Sequence, residues 1–125
     1  MALSVFAGFS AAFGAPLVFA TAMLAPPMRN PMSAADIHHR IIGNSITSAP
    51  GQIEFIGFDG AVRGRRGGVA YAGSWTLDGD RFCLRYAANA ARCFDVTMRG
   101  DRVIYLNRGR RVGGGQLVAG NPEQF

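Results

Sequence analysis

Two short strings offer the most visible chemistry in this chain. Arg63-Gly64-Arg65-Arg66 and Arg108-Gly109-Arg110-Arg111 repeat one another, each where a β-prone run gives way to glycine, and together they hold six of the thirteen arginines. Guanidinium forks grip phosphate or carboxylate oxygens bidentately, so Arg63, Arg65, Arg66, Arg108, Arg110 and Arg111 are the candidate anion-binding residues. They act as one site only if the fold brings both loops to the same end. Cys83 and Cys93, the only two cysteines, stand ten positions apart and suit a disulfide better than a metal site or a nucleophile. His38 and His39 project about 100° apart on a helix and cannot hold one ion together. Glu54, Asp59, Asp78, Asp80, Asp95 and Asp101 read mostly as turn formers. No catalytic arrangement, metal set or cofactor motif is indicated, so the chain is read as a non-enzyme.

The cysteines define a hairpin. A turn centred on Ala88 places Cys83 opposite Cys93, Arg81 opposite Asp95 and Phe82 opposite Phe94. Directly opposed strand residues bring Cβ atoms to about 4.5–5.5 Å, within reach of a bridge. A disulfide in so short a chain points to an oxidising compartment.

The N-terminus points the same way. Residues 1–28 carry no charged side chain, and Ala20-Thr21-Ala22 offers the small-x-small pattern of a signal peptidase site ahead of Pro26-Pro27. Residues 1–25 therefore read as a signal peptide. The alternative is a membrane anchor, since about 20 apolar residues span a bilayer. Cleavage leaves a periplasmic or secreted protein; retention leaves membrane contact through residues 1–25. Residues 26–43 form a linker and short helix, and residues 44–125 a β-barrel-like domain. All the basic residues are arginine, as in proteins of GC-rich genomes, and the net charge of +5 favours anionic partners.

The positioning elements follow from periodicity. Ser33 and Asp36 make a capping box for a helix that presents Ala34, Ile37 and Ile41 on one face, with Ile42 at its edge, and stops at Gly43. Beyond Asn44, short alternating runs separated by Gly, Asp and Asn are the pattern of an antiparallel meander. Asp59-Gly60 and Asp78-Gly79 read as two-residue hairpin loops, the second pairing Leu77 with Asp80, Trp75 with Phe82, Gly73 with Leu84 and Tyr71 with Tyr86. Gly113-Gly114-Gly115 reads as a break before a last strand at 116–119. Alternation gathers Tyr71, Trp75, Phe82, Tyr86 and Phe94, with Leu84, Val96 and Met98, on one face as core or pocket, and leaves the disulfide on the other. The predicted fold is mainly β: a small antiparallel meander or up-and-down barrel of seven or eight short strands, with the helix capping an open end or packed outside.

The succession Gly43-Asn44, Asp59-Gly60, Gly73-Ser74-Trp75, Cys83, Cys93 and Gly120-Asn121-Pro122 resembles small exported proteins of alphaproteobacteria over residues 33–125, a group to which no activity is attached. Gly73-Ser74-Trp75 also resembles the Gly-x-Trp of lipocalins and avidins, which implies ligand binding inside a barrel; there it opens the first strand and here it falls near the fourth. Periplasmic lysozyme inhibitors are similar in size and β content, but their Ser-Gly-x-x-Tyr loop is absent from this chain.

These readings converge on a binding or interaction domain that meets an anionic envelope component or a protein partner through its arginine-rich loops. Nucleic acid is disfavoured for an exported chain. The alternatives are an N-terminally anchored accessory subunit of a membrane complex and a carrier of small apolar ligands lined by the aromatic face.

Overall fold

Hairpin follows hairpin because the alternating runs are separated by short turns, most of them rich in glycine. The computed structural model describes residues 30–125, and the signal and anchor readings of residues 1–25 lie outside them. After helix α1 (Ala34–Arg40) come strands β1 (Ser45–Ser48), β2 (Gln52–Ile56), β3 (Ala61–Arg66), β4 (Val69–Asp78), β5 (Arg81–Tyr86), β6 (Arg92–Arg99), β7 (Arg102–Asn107) and β8 (Arg110–Val118). Every strand pairs antiparallel with its sequence neighbour, and β1 pairs with β8, so the sheet is a closed eight-stranded up-and-down barrel. Closure leaves no free sheet edge for other chains to pair with.

Gly67 and Gly68, and Arg108 and Gly109, occupy positive φ at both turn positions, as a type I′ hairpin requires. Three features of the sequence reading are corrected. First, the β4–β5 turn is Gly79-Asp80 rather than Asp78-Gly79, so Leu77 faces Phe82, Trp75 faces Leu84 and Gly73 faces Tyr86. Gly79 leads the turn at φ 57°, where glycine costs least, and Asp80 Oδ1 accepts at 2.8 Å from the Ala34 N–H at the start of α1. A slip of two residues keeps every side chain on its expected face. Second, Ile56 pairs with Val62, and the loop between β2 and β3 holds Phe58, Asp59 and Gly60 with Gly60 at φ 85°. Third, the Gly113-Gly114-Gly115 run is part of β8. A Cβ on Gly115 would run into the Thr47 carbonyl and the Ile46 side chain, and one on Gly114 into the Val103 carbonyl, so glycine is what lets β8 lie close to β1 and β7.

The barrel interior is the core. Ile56, Val62, Phe82, Val96 and Val103 are fully buried, and Ile37 and Ile41 of the helical segment join them from one end. The helix is a stopper. Ser33 Oγ accepts from Asp36 N–H at 3.1 Å, which makes the expected N-cap. Met32 N–H donates to Val96 C=O at 2.7 Å, and the His38 ring lies 6.3 Å from both Phe58 and Trp75. The turns at 57–60, 79–80 and 100–101 share this closed end. The turns at 49–51, 67–68, 87–91 and 108–109 make the opposite, open end.

β5 and β6 stay paired over three residue pairs only: Phe82 with Phe94, Cys83 with Cys93 and Leu84 with Arg92. The cysteines form the expected disulfide on the outward side of the sheet, and a bridge of this kind fits an extracellular or periplasmic setting. The expected pairing of Arg81 with Asp95 does not form. The chain entering at Met32 takes the Val96 carbonyl, and Arg81 instead donates to the Cys93 carbonyl at 2.7 Å. Among the described residues no helix is long and apolar enough to cross a membrane.

Candidate functional site: the open mouth of the barrel

An up-and-down barrel sends alternate hairpins to alternate ends, so the β3–β4 and β7–β8 turns emerge together at the open end. In a ring of eight strands those two seams are four strands apart, so the arginine strings face each other across the mouth. Arg66, Arg108, Arg110 and Arg111 are exposed and make no ion pair among the described residues. Arg85 and Arg92 flank a third mouth hairpin, where Arg85 Nε donates to Asn89 C=O at 3.1 Å and Arg92 lies 5.4 Å over the Phe94 ring.

Two of the six arginines singled out by the strings have other work. Arg63 lies lower on β3 and pairs with Asp59 at 2.9 Å, holding that carboxyl below its ordinary range. Arg65 turns outward to the C-terminal tail, 3.7 Å from Glu123 and 5.5 Å over the Phe125 ring. Alternation along β3 is the reason: Val62 and Gly64 face the lumen, so Arg63 and Arg65 cannot.

Most of the carboxylates lie toward the other end. Asp36, Asp59, Asp78, Asp80 and Asp101, five of the eight, belong to the helix or to the turns and strand ends of the closed end, but Arg40, Arg81, Arg99 and Arg102 stand beside them; the four mouth turns contain no carboxylate. The barrel therefore carries a charge gradient along its axis, basic at the mouth and close to neutral at the stopper.

Just inside the mouth sits a polar cluster that includes a residue misread as a turn former. Glu54 is in the middle of β2, only 6 % exposed. Tyr71 Oη donates to Glu54 Oε2 at 2.8 Å, Tyr86 Oη donates to the same oxygen at 2.8 Å and to Oε1 at 3.0 Å, and Gln52 Nε2 donates to Tyr71 Oη at 3.0 Å. Burial pushes Glu54 above its ordinary pKa, and the bonds from Tyr86 and Tyr71 pull it part of the way back. Tyr71 is pushed up to about 12, chiefly by burial. Tyr86 and Tyr105 are also raised by burial and by the Glu54 charge, so all three phenols keep their protons, and Tyr71 and Tyr86 donate theirs to Glu54. Tyr105 Oη is buried without a protein partner. The alternation Gln52-x-Glu54-x-Ile56 was the available signal, since it puts Glu54 on the same face as a core isoleucine.

The five aromatic residues expected to form the core or pocket all point inward. Trp75 and Phe82 lie 6.3 Å apart, Phe82 and Tyr105 6.1 Å, Phe94 and Tyr105 are stacked at 5.3 Å, and Tyr71 meets Tyr86 edge-on at 5.8 Å. Trp75 Nε1 donates to Gly57 C=O at 2.7 Å. The rings pack on one another across the lumen. Open grooves lie elsewhere among the described residues: one of about 470 Å³ lined by Arg63, Tyr71 and Phe125 among others, and another of about 260 Å³ beside the disulfide at Trp75, Cys83 and Arg85. No group of three or more His, Cys, Asp and Glu side chains suited to a metal ion occurs among the described residues. The chain matches no protein-family model, no curated protein and no solved structure.

Proposed function

We propose that this chain is a non-enzymatic binding domain of an exported protein, and that its working surface is the arginine-rimmed mouth, which meets an anionic component of the cell envelope. The observation that carries the reading is the charge gradient: unpaired arginines on hairpins across the mouth, against a closed end where five carboxylates offset the arginines beside them. Such a gradient orients the molecule toward a negative partner before contact. Glu54 and its phenols then act as a hydrogen-bonded brace that holds β2, β4 and β5 in place beneath the rim. The packed aromatic lumen favours this reading over a carrier of small apolar ligands, which needs room inside.

The test replaces Arg66, Arg108, Arg110 and Arg111 with Ser and compares the variant with Arg99→Ser/Arg102→Ser at the closed end. Exposed charge contacts contribute about 0.2–1 kcal/mol each, so four of them amount to roughly fourfold or more in affinity. At low salt the mouth variant is expected to lose at least that much binding to lipopolysaccharide and to heparin, while the closed-end variant binds as wild type. Equal losses in the two variants would show that net charge, and not the mouth, does the binding.

A further inference from the structure

We propose that the surface met by the mouth is an anionic lipid bilayer, with the barrel standing on its two arginine hairpins and one valine of each entering the headgroup layer. This rests on the reading above and names the partner.

Three large apolar side chains stand exposed among the described residues, and two of them are on these hairpins: Val69 at 69 % and Val112 at 44 %. Val69 pairs with Arg66 across the Gly67-Gly68 turn, and Val112 directly follows Arg110 and Arg111. The other two mouth hairpins end in Ala49-Pro50-Gly51 and in Ala87-Ala88-Asn89-Ala90-Ala91, which carry no charge. The mouth thus presents small or apolar tips with guanidinium groups set among them.

A soluble polyanion gains nothing from exposed valines, whereas a bilayer places hydrocarbon directly beneath its phosphates. Interfacial binding scales with the apolar area buried and the attraction to anionic lipid, and this surface offers both. Arginine suits the role because its stem is apolar and its fork matches phosphate. The turn backbone at each tip must stay hydrated, so penetration is limited to the headgroup region. The charge gradient selects the orientation, since an anionic leaflet attracts the basic mouth far more than the nearly neutral stopper. Near such a leaflet each arginine contributes roughly fivefold in affinity, and each valine taken out of water up to about tenfold.

The test uses the full chain, with its disulfide oxidised, on vesicles of phosphatidylcholine alone or with one quarter phosphatidylglycerol. Because residues 1–28 are uncharged and rich in apolar side chains, the depth of the tips is read locally: Val69→Trp and Val112→Trp are prepared, and their emission is measured in vesicles brominated near the top of the acyl chain. Quenching of both tip tryptophans in anionic vesicles is expected, with Trp75 in the wild type unquenched because it lies toward the closed end. Val69→Ser/Val112→Ser is expected to reduce the gain in binding from neutral to anionic vesicles by about tenfold without changing the salt concentration that releases the chain from heparin. Tip tryptophans that stay unquenched while the chain co-floats with anionic vesicles would overturn the inference and leave the arginine mouth standing as a site for soluble polyanions. A wild-type chain indifferent to heparin, lipopolysaccharide and phosphatidylglycerol alike would overturn both.

Discussion

Glu54 receives hydrogen bonds from two phenols inside the barrel, and its titration is readable in stability. Burial raises its pKa above the ordinary 4.5, so the folded state holds this proton to higher pH than the unfolded state does. The sign follows: the stability linked to Glu54 is full below the unfolded-state value and is lost as pH rises through the folded-state value. Glu54→Gln removes that dependence. Thermal unfolding from about pH 4 to about pH 8 is expected to show the wild type losing ground to the variant as pH rises, and parallel curves would contradict the raised value. The phenols divide. Tyr86→Phe removes a donor to a carboxylate and is expected to cost about 1.5–3 kcal/mol in urea unfolding. Tyr105→Phe removes a buried hydroxyl with no protein partner and is expected to leave stability unchanged or raise it by up to about 1–3 kcal/mol.

At the scale of elements, the seven-residue α1 is too short to persist in water and is held by what it plugs. Ile37 and Ile41 are fully buried in the barrel end, and Asp80 and Ser33 take the first free backbone N–H groups. Ile41→Ala is expected to cost about 2–5 kcal/mol and Ser33→Ala about 1 kcal/mol, measured by chemical denaturation. Similar losses for the two would mean that the helix is not seated as a stopper. The seam between β1 and β8 is just as exacting. Gly115→Ala drives a methyl group into the Thr47 backbone and is expected to destabilise by about 1–3 kcal/mol, whereas Gly67→Ala, at an open turn, incurs only the strain of its positive φ.

At the largest scale, the described residues form a ring of hairpins closed by a strand pair, by a helix at one end and by one disulfide. Bridging residues ten apart removes freedom from the unfolded chain, and reduction is expected to lower the unfolding free energy by about 3 kcal/mol, read as a shift of the urea midpoint with and without reductant. Binding by the mouth draws on a different property, the separation of charge between the two ends. It should weaken steeply between about 50 mM and 300 mM salt, because charges exposed to solvent are screened beyond about 10 Å at 0.1 M.

Alternation and turn chemistry determine what needs only neighbouring residues: the β meander, the capped helix, the Cys83–Cys93 bridge and the inward aromatic face. A slip of two residues at Gly79 and a third loop residue at Phe58 leave that pattern intact, because the period of a strand is two. The glycine run of β8 misleads a local reading, since part of its reason is the closeness of β1, a strand far away in sequence. Closure of the sheet, the meeting of Glu54 with Tyr71 and Tyr86, and the division of arginines between rim, tail and Asp59 all depend on which strands become neighbours around a ring. Only the tertiary structure decides these, because a ring is a long-range condition that no short stretch of residues encodes.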